Sequence, residues 1–470
     1  MNSPARILQA TTLVAVVATL AVGDARALGA QSALGRPCEI VITGVARGAD
    51  TTRVRSVTTP TGGRNMFIGG VVDATCAGQG NRLLADSAEH FTERGLLILY
   101  HNVRYTEPRM TMTSDRMFYY TNEERIVAEG NVKGRSASGT RFTGPQIEYF
   151  RAKPGVRDES SWIATGRPFV RMSPNETGGP ASAVAASATD STDLTANRVV
   201  SRNDSLIWAS GAVVIDRHDM RATADSASLD NGIEFARLLR DPKVVGKGED
   251  PFTLTGIVID TWSRERQLQR VVSGGNARAV SDSLTLTSDT LDLRFAEQQI
   301  ERIYSWGGRA VANGAAQRIE SDSMDIRMPN QTLDELHAVG RAEARSRVDT
   351  SRVVTVEMDW IAGDTIHARF ETVTDSTGAE GSRMREVTAL GSARSFYQVP
   401  PTGGARGAPN LSYSRGRLIT VLFDSGEMST VSVIDQASGI YLEALTQPAA
   451  PATRADTTRS DTTPAPVRRP

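Results

Sequence analysis

The chain has 470 residues, with 53 lysines and arginines against 54 aspartates and glutamates, and a formal net charge of −1. This balance excludes the polybasic surface that is typical of nucleic-acid-binding proteins, so no nucleic-acid partner is expected. Apolar residues make up 39% of the chain and aromatic residues 6%. Thin β structures bury less apolar surface per residue than spherical domains do, so these modest fractions fit a repeat array.

Residues 1–30 have the features of a secretory signal peptide. Arg6 supplies a positive charge, residues 7–22 are apolar and uncharged, and Ala25, Arg26 and Ala27 form an A-x-A cleavage site. An uncleaved inner-membrane anchor remains the alternative, because the apolar stretch is only slightly shorter than the roughly 20 residues of a spanning helix. We expect cleavage and a periplasmic location.

The only two cysteines are Cys38 and Cys76. An even number in an exported chain predicts one disulfide, which would stabilise the first repeat by roughly 3–4 kcal/mol. Two unpaired buried thiols are the alternative. None of the five histidines has a metal-ligand spacing with either cysteine, so we predict no metal and no cofactor. The histidines are His90, His101, His218, His337 and His367.

A short sequence motif recurs about every 30 residues along the chain. Residues 112–132 show it complete, as M-T-S-D-R-M-F-Y-Y-T-N-E-E-R-I-V-A-E-G-N-V, and it returns from Leu286 and Ile319. Weaker copies begin at Asp86, Asn197, Asp225 and Asp364. Apolar residues alternate at period 2 within each copy, and no copy holds a 12-residue helical pattern. The sequence therefore predicts an all-β stacked array.

The strand after each recurring aspartate has one apolar and one polar face. The apolar positions form the predicted inner face, which would line a lipid groove if one exists: Met117, Tyr119, Leu291, Leu293, Phe295, Met324, Ile326, Met328, Ile366 and Phe370. The intervening positions are predicted to face water: Arg116, Asp292, Arg294, Asp325 and Arg327.

The apolar face changes side at the recurring Ser-Asp pair. Leu284 and Leu286 alternate in one register, whereas Leu291 and Leu293 alternate in the other. This switch predicts a bulge or corner at Ser288 and Asp289. An aspartate at such a corner can hydrogen-bond the backbone two residues further on.

Composition divides the chain into blocks. Residues 31–172 and 194–445 carry the repeats, residues 173–193 form a small, polar flexible loop or linker, and residues 446–470 are rich in Pro, Thr and Ala and should be disordered. Residues 399–409 form a further predicted loop inside the second repeat block.

No catalytic motif is present, since G-x-S-x-G, the phosphate-binding G-x-x-x-x-G-K-[ST], H-E-x-x-H and paired CxxC are all missing from the sequence. The Ser-Asp pairs recur once per repeat, which indicates a corner and not a unique active site. We therefore predict that the chain is not an enzyme. Pattern alone leaves two interpretations of the apolar face open, a closed core or a groove between splayed sheets, and favours the first.

The unit S-D-R-M-F-Y-Y-T-N-E-E-R-I-V-A-E-G-N-V, followed by F-T-G-P-Q-I-E-Y-F and G-R-P-F-V, resembles the OstA-like domain of periplasmic lipopolysaccharide-transport proteins, the LptA/LptC group. The likeness is close over residues 82–170 and looser over residues 197–393. The chain departs from that family in its length and in its insertion at residues 173–193.

This resemblance implies an elongated β-jellyroll, or β-taco, of two splayed sheets that hold the acyl chains of lipid A. It also implies edge-strand pairing with other OstA-like proteins, indirect contact with membranes, and a role in moving lipopolysaccharide toward the outer membrane. No catalytic residue is carried over. The alternative is an exported β-solenoid with a structural, adhesive or polysaccharide-acting role.

Overall fold

The computed structural model describes residues 39–44, 46–47, 50–76, 80–172, 191–248, 251–282, 284–314, 317–374, 380–401, 406–425 and 427–444. Strands account for 73% of these residues, and the described helical turns are the short 3-10 segments Thr92–Arg94 and Pro329–Gln331. The prediction of an all-β fold is confirmed. The predicted signal peptide and the predicted C-terminal tail lie outside the described residues.

The strands follow one another in chain order and are numbered accordingly. The first half consists of β1 Ile40–Gly44, β2 Ala46–Arg47, β3 Asp50–Thr51, β4 Arg53–Thr58, β5 Arg64–Cys76, β6 Arg82–Phe91, β7 Leu96–Glu107, β8 Met110–Tyr120, β9 Arg125–Ser136, β10 Arg141–Phe150, β11 Ser161–Thr165, β12 Phe169–Met172, β13 Thr192–Thr195, β14 Arg198–Arg202, β15 Leu206–Asp216 and β16 Met220–Asp230. The second half consists of β17 Phe235–Leu239, β18 Lys243–Gly246, β19 Thr253–Thr255, β20 Val258–Arg264, β21 Gln267–Val280, β22 Thr285–Ala296, β23 Gln299–Trp306, β24 Ala310–Asn313, β25 Gln317–Ser321, β26 Ser323–Arg327, β27 Glu335–Ser346, β28 Asp359–Thr374, β29 Glu380–Val399, β30 Asn410–Asp424, β31 Glu427–Ile434 and β32 Ser438–Leu442.

The chain forms two compact units. Among the described residues, unit 1 contains those within 39–215 and 228–232, and unit 2 contains those within 216–227 and 233–444. Residues 173–190 of the segment predicted as a loop or linker lie outside the described residues, so that interpretation stays a prediction. Its last two residues, Thr192 and Asp193, belong to β13, which pairs with β12 from Phe169↔Thr195 to Met172↔Thr192.

Two layers of antiparallel strands make up each unit. In unit 1 the first layer contains β4, β11 and β14, and the second contains β1, β12 and β13. In unit 2 the first layer contains β17, β20, β23, β26 and β31, and the second contains β18, β19, β24, β25 and β32. The long strands β5–β10, β15, β16, β21, β22 and β27–β30 contribute one half to each layer.

Aromatic contacts between the layers show that they face each other across a shared core. Phe142 of the second layer packs on Trp162 of the first, with ring centroids 4.9 Å apart. In unit 2, Phe252 and Phe295 make the equivalent contact at 5.8 Å. The core of each unit therefore lies between its two layers.

Each long strand passes from one layer to the other at a corner. Gly130 and Asn131 of β9 have positive φ angles of 76° and 46°, and the Asn131 amide donates a 2.7 Å hydrogen bond to Asp115 of β8. Gly340 of β27, at φ +83°, lies in the same way against Asp322, and a Cβ there would approach its carboxylate to 2.6 Å. Such positions favour glycine because it adopts positive φ without a steric penalty.

Burial confirms the predicted switch of the apolar face. In β22, Leu286 and Ser288 are buried before the corner, and Leu291 and Leu293 are buried after it. The local hydrogen bonds differ from the expectation for aspartate. The serine hydroxyl donates to the carbonyl two residues on, as from Ser114 to Arg116 at 2.9 Å. The aspartate instead accepts a hydrogen bond from the corner of the next strand, as Asp115 does from the Asn131 amide.

One residue predicted to face water is buried. Asp292 is only 2% exposed, although it does point away from the core. The Arg270 guanidinium covers it with two hydrogen bonds of 2.9 and 2.8 Å, and Arg294 adds a third at 3.0 Å. Alternation alone could not predict this burial, because it depends on an arginine of the neighbouring strand. Arg116, Arg294 and Arg327 are exposed and Asp325 is half-buried.

Of the two cysteines predicted to form a disulfide, Cys76 lies among the described residues. Cys76 is disulfide-bonded, it is buried at the end of β5, and its Sγ lies 3.6 Å from the Tyr119 hydroxyl. Cys38 lies outside the described residues, so its pairing with Cys76 stays a prediction.

Candidate functional site

The two layers have free sides opposite their corners, and this side of each unit is called the mouth. In unit 1 the turn at residues 108–109 ends strands of the second layer, and the turn at residues 121–124 ends strands of the first. A ligand that enters between the layers from the side must pass between such turns. Contacts across the mouth therefore determine whether a groove between the layers is open or closed.

A buried ion-pair cluster spans the mouth of unit 1. Arg151, at the end of a first-layer strand half, donates from Nε to Glu107 of the second layer at 2.7 Å and from Nη1 to Glu124 at 2.6 Å. The side chains of Glu107 and Glu124 are 7% and 6% exposed. This trio of Arg151, Glu107 and Glu124 is called the clasp.

Three tyrosines complete the hydrogen bonding of the clasp. Tyr105 and Tyr149 both donate to Glu107, the first at 2.9 Å, and Tyr119 donates to Glu124 at 2.8 Å. Burial, together with the adjacent carboxylates, raises the pKa of each hydroxyl above its ordinary value, so all three remain protonated donors at neutral pH. The buried ion pairs, together with the tyrosine hydroxyls bonded to them, hold the two layers together at this point.

The mouth of unit 2 is bridged at its first turns. Arg217, in the turn between β15 and β16, donates to the Ser263 hydroxyl at 2.8 Å, and its Nε and Nη2 bond Asp219 at 3.0 and 2.9 Å. Ser263 belongs to the first layer, so this contact closes the mouth there. The side chains of Arg217 and Asp219 are 9% and 6% exposed.

Further along unit 2 the layers separate around a cavity of about 1140 Å³. Both layers supply apolar side chains to its wall. The principal ones are Phe252, Leu286, Leu293, Ile300, Ile303, Ile319, Met328, Leu333, Leu336, Phe370, Met384, Phe423 and Met428. Ligand pockets for drug-sized molecules have volumes of roughly 300–1,000 Å³, so this cavity has room for a larger apolar ligand.

Charged groups lie among the lining residues as well. Arg347, Arg352 and Arg383 contribute cationic side chains, and Asp282, Asp349 and Asp359 contribute carboxylates. Across the mouth, the Gln317 amide approaches the Met384 sulfur at 3.8 Å, a much weaker contact than those of the clasp. The cavity thus combines an apolar interior with polar groups of both signs.

Asp359 is the carboxylate in this lining with the most altered acidity. It accepts a 2.9 Å hydrogen bond from the backbone N–H of Gln398. Desolvation nevertheless dominates and raises the pKa of Asp359 to about 6. Burial, with a further contribution from Asp359, also raises the pKa of Tyr397.

The structure divides the ten predicted groove residues among three positions. Leu293, Met328 and Phe370 line the cavity. Met117 and Tyr119 are fully buried in unit 1, next to the clasp. Those in the core of unit 2, away from the cavity wall, are Leu291, Phe295, Met324, Ile326 and Ile366. Contact between any of the ten and a lipid stays a prediction.

Sequence reasoning missed most of the cavity wall and the whole clasp. The inner face is predicted by counting every second residue after each recurring aspartate. Leu336 and Met384 line the cavity but lie on strand segments that do not follow such an aspartate, so the count does not include them. Glu107 and Arg151 end strands in different layers, 44 residues apart, and nothing in the 30-residue period relates them. A buried charge in an otherwise apolar register, as at Glu107 after Val103 and Tyr105, was the available signal.

No protein-family model matches the chain, and no curated protein matches it either. In the part of the chain that the structure describes, no helix has the length and apolarity needed to cross a membrane.

Proposed function

We propose that this chain is a periplasmic lipid carrier whose unit 2 cavity holds acyl chains of lipopolysaccharide on their way to the outer membrane. The observation that carries the proposal is the cavity of about 1140 Å³ between two β layers, whose wall includes Leu, Ile, Met and Phe side chains from both layers. The resemblance of the repeat unit to OstA-like domains names the lipid class. The signal peptide predicted at residues 1–30 supports a periplasmic location.

The physical argument for such a carrier is the cost of exposing acyl chains to water. Each methylene transferred from an apolar site to water costs about 0.8 kcal/mol, so a chain of a dozen carbons costs roughly 10 kcal/mol. A cavity lined by aliphatic side chains lowers this barrier without any chemical step. Methionines such as Met328, Met384 and Met428 suit a sliding chain because their side chains are unbranched and adaptable.

Transport also needs a partner at each end, and strand edges can supply the contact. In the described part of unit 2, β31 and β32 both pair with β30 and with no other strand. Ile434, Ile440, Tyr441 and Leu442 on these strands are exposed. We propose that another protein with an OstA-like sheet pairs with this edge, since an unpaired edge with apolar side chains favours β-augmentation.

A structural array without a ligand is the second candidate, and the clasp favours it for unit 1. Because Arg151 bonds both Glu107 and Glu124, the two layers of unit 1 are joined across the mouth at the clasp. We therefore assign lipid binding to unit 2. The proposal requires no catalytic residue, no cofactor and no direct membrane contact.

The test is to purify the full chain from the periplasm of a lipopolysaccharide-producing host, extract it with organic solvent and identify bound lipids by mass spectrometry. We expect lipid A species in near-stoichiometric amount. A folded protein that carries no acylated lipid, before and after incubation with purified lipopolysaccharide, would contradict the proposal and favour the structural array.

A further inference from the structure

We propose that Glu335, His337 and His367 form a binding site for a divalent transition metal of the zinc class, on the outer face of unit 2. These three side chains are half-buried, and their donor atoms all lie within 4.8 Å of one another. The site is separate from the cavity, because the three residues are absent from its wall. The proposal does not depend on the proposed function.

Strand pairing brings the three residues together. Glu335 and His337 are two positions apart on β27, so their side chains leave the same face of the sheet. His367 of β28 lies directly opposite His337 in the antiparallel register. Residues i and i+2 on one strand and a cross-strand neighbour form a triangle of adjacent side chains, with Cβ atoms of opposed residues about 4.5–5.5 Å apart.

The donor atoms are close to the spacing that a metal ion needs. Glu335 Oε1 lies 2.5 Å from His367 Nε2 and 3.4 Å from His337 Nε2. Bonds of about 2.0–2.1 Å at tetrahedral angles would place such atoms roughly 3.3–3.5 Å apart. The two imidazole rings are stacked with centroids 4.0 Å apart, so a tilt of the rings suffices to direct both nitrogens at one ion.

Two arginines and one exposed histidine surround the carboxylate. Arg327 bonds the other carboxylate oxygen, Glu335 Oε2, at 3.3 Å, which orients the group and leaves Oε1 toward the imidazoles. Arg369 is less well placed, with its Nε 3.9 Å from Oε1 and its Nη1 3.8 Å from Glu386. His337 is 43% exposed, so water can occupy a fourth position.

Two histidines and one carboxylate are a donor set for zinc and related ions and not for calcium or magnesium, which take oxygen ligands. The competing description is a simple ion pair, in which a protonated His367 compensates Glu335. Although desolvation acts in the opposite direction, the bond from His367 and the nearby positive charges lower the pKa of Glu335. A carboxylate that stays ionised is compatible with either description, so a direct measurement must decide.

The experiment is calorimetric titration of the full chain, without a histidine tag, with Zn²⁺ at neutral pH, repeated with Co²⁺ while visible absorption is recorded. We expect one saturable site per chain and a Co²⁺ spectrum with nitrogen ligation. His337→Asn and His367→Asn should each weaken Zn²⁺ affinity at least about tenfold, since each removes one of three ligands. The matched control, His218→Asn, alters an exposed histidine elsewhere in unit 2 and should leave affinity unchanged.

Two results would overturn the metal site. One is the lack of saturable Zn²⁺ binding by the folded wild-type chain, which would leave only the ion pair. The other is undiminished binding by the double variant His337→Asn/His367→Asn. Circular dichroism of each variant checks that it folds, and because both histidines lie on the outer face, neither substitution removes a core contact.

Discussion

Arg151 bonds Glu107 at 2.7 Å although the two residues end strands in different layers of unit 1. The guanidinium also reaches Glu124, and both carboxylates are almost completely shielded from water. This arrangement joins the layers of unit 1 across the mouth at the clasp, whereas the layers of unit 2 are bridged near Arg217 and enclose a cavity further along the chain. Closure by ions also has a clear energetic consequence.

Removal of the clasp cation should strongly destabilise unit 1. Arg151→Met leaves two buried carboxylates without a countercharge, and breaking a buried pair in this way costs roughly 3–5 kcal/mol. Urea unfolding monitored by tyrosine fluorescence should show this loss. Arg104→Met, which changes an exposed arginine of the adjacent β7, is the control and should shift the midpoint little. Equal stability of both variants would mean that the clasp contributes no net stability.

The corners should depend on glycine at positive φ. Gly340→Ala places a Cβ 2.6 Å from the Asp322 carboxylate at a φ of +83°, so we expect a loss of roughly 1–2 kcal/mol. Gly248→Ala, where a Cβ meets nothing within 4 Å, should be nearly neutral. Thermal unfolding of both variants distinguishes the two effects. Similar melting temperatures would show that the corner tolerates a side chain.

Stability should depend on pH through Asp359. Burial raises its pKa in the folded chain to about 6 from an ordinary value of 3.8, so the folded state binds the proton more tightly than the unfolded state does. Its contribution is therefore most favourable below pH 3.8 and is progressively lost as the pH rises to about 6. Asp359→Asn should be more stable than wild type at pH 7, and the difference should disappear near pH 4. A difference in melting temperature that does not change with pH would contradict this assignment.

A charge in the cavity should prevent lipid loading. Met328 is half-buried in the cavity wall, and Met328→Asp would oppose acyl chains with an unpaired carboxylate. We expect captured lipid to fall at least about tenfold, since an uncompensated charge costs several kcal/mol in an apolar site. Arg327→Gln changes the exposed neighbour on the opposite face and should load normally. Quantitative mass spectrometry of extracts from both variants measures the ratio.

The repeat period and the alternation of apolar residues were sufficient to predict the strands, the corners and most of the inner face. Leu291 and Leu293, the second and fourth residues after Asp289, are buried as predicted. When a sheet has one buried face, a shift of one residue would expose every apolar side chain of the strand, so the alternation determines which residues point inward. The site was harder to predict, since it depends on which strand ends meet across the mouth. Glu107 with Arg151, and His337 with His367, become neighbours only through pairings between strands.

The most direct test of the account is to place a photo-crosslinking phenylalanine analogue at single positions during growth of a lipopolysaccharide-producing host. At Phe370, in the cavity wall, the analogue should form an adduct with lipopolysaccharide after irradiation. At the adjacent Arg369, which is exposed on the other face, it should form none. Adducts at neither position, or equally at both, would contradict the claim that the cavity of unit 2 holds the lipid.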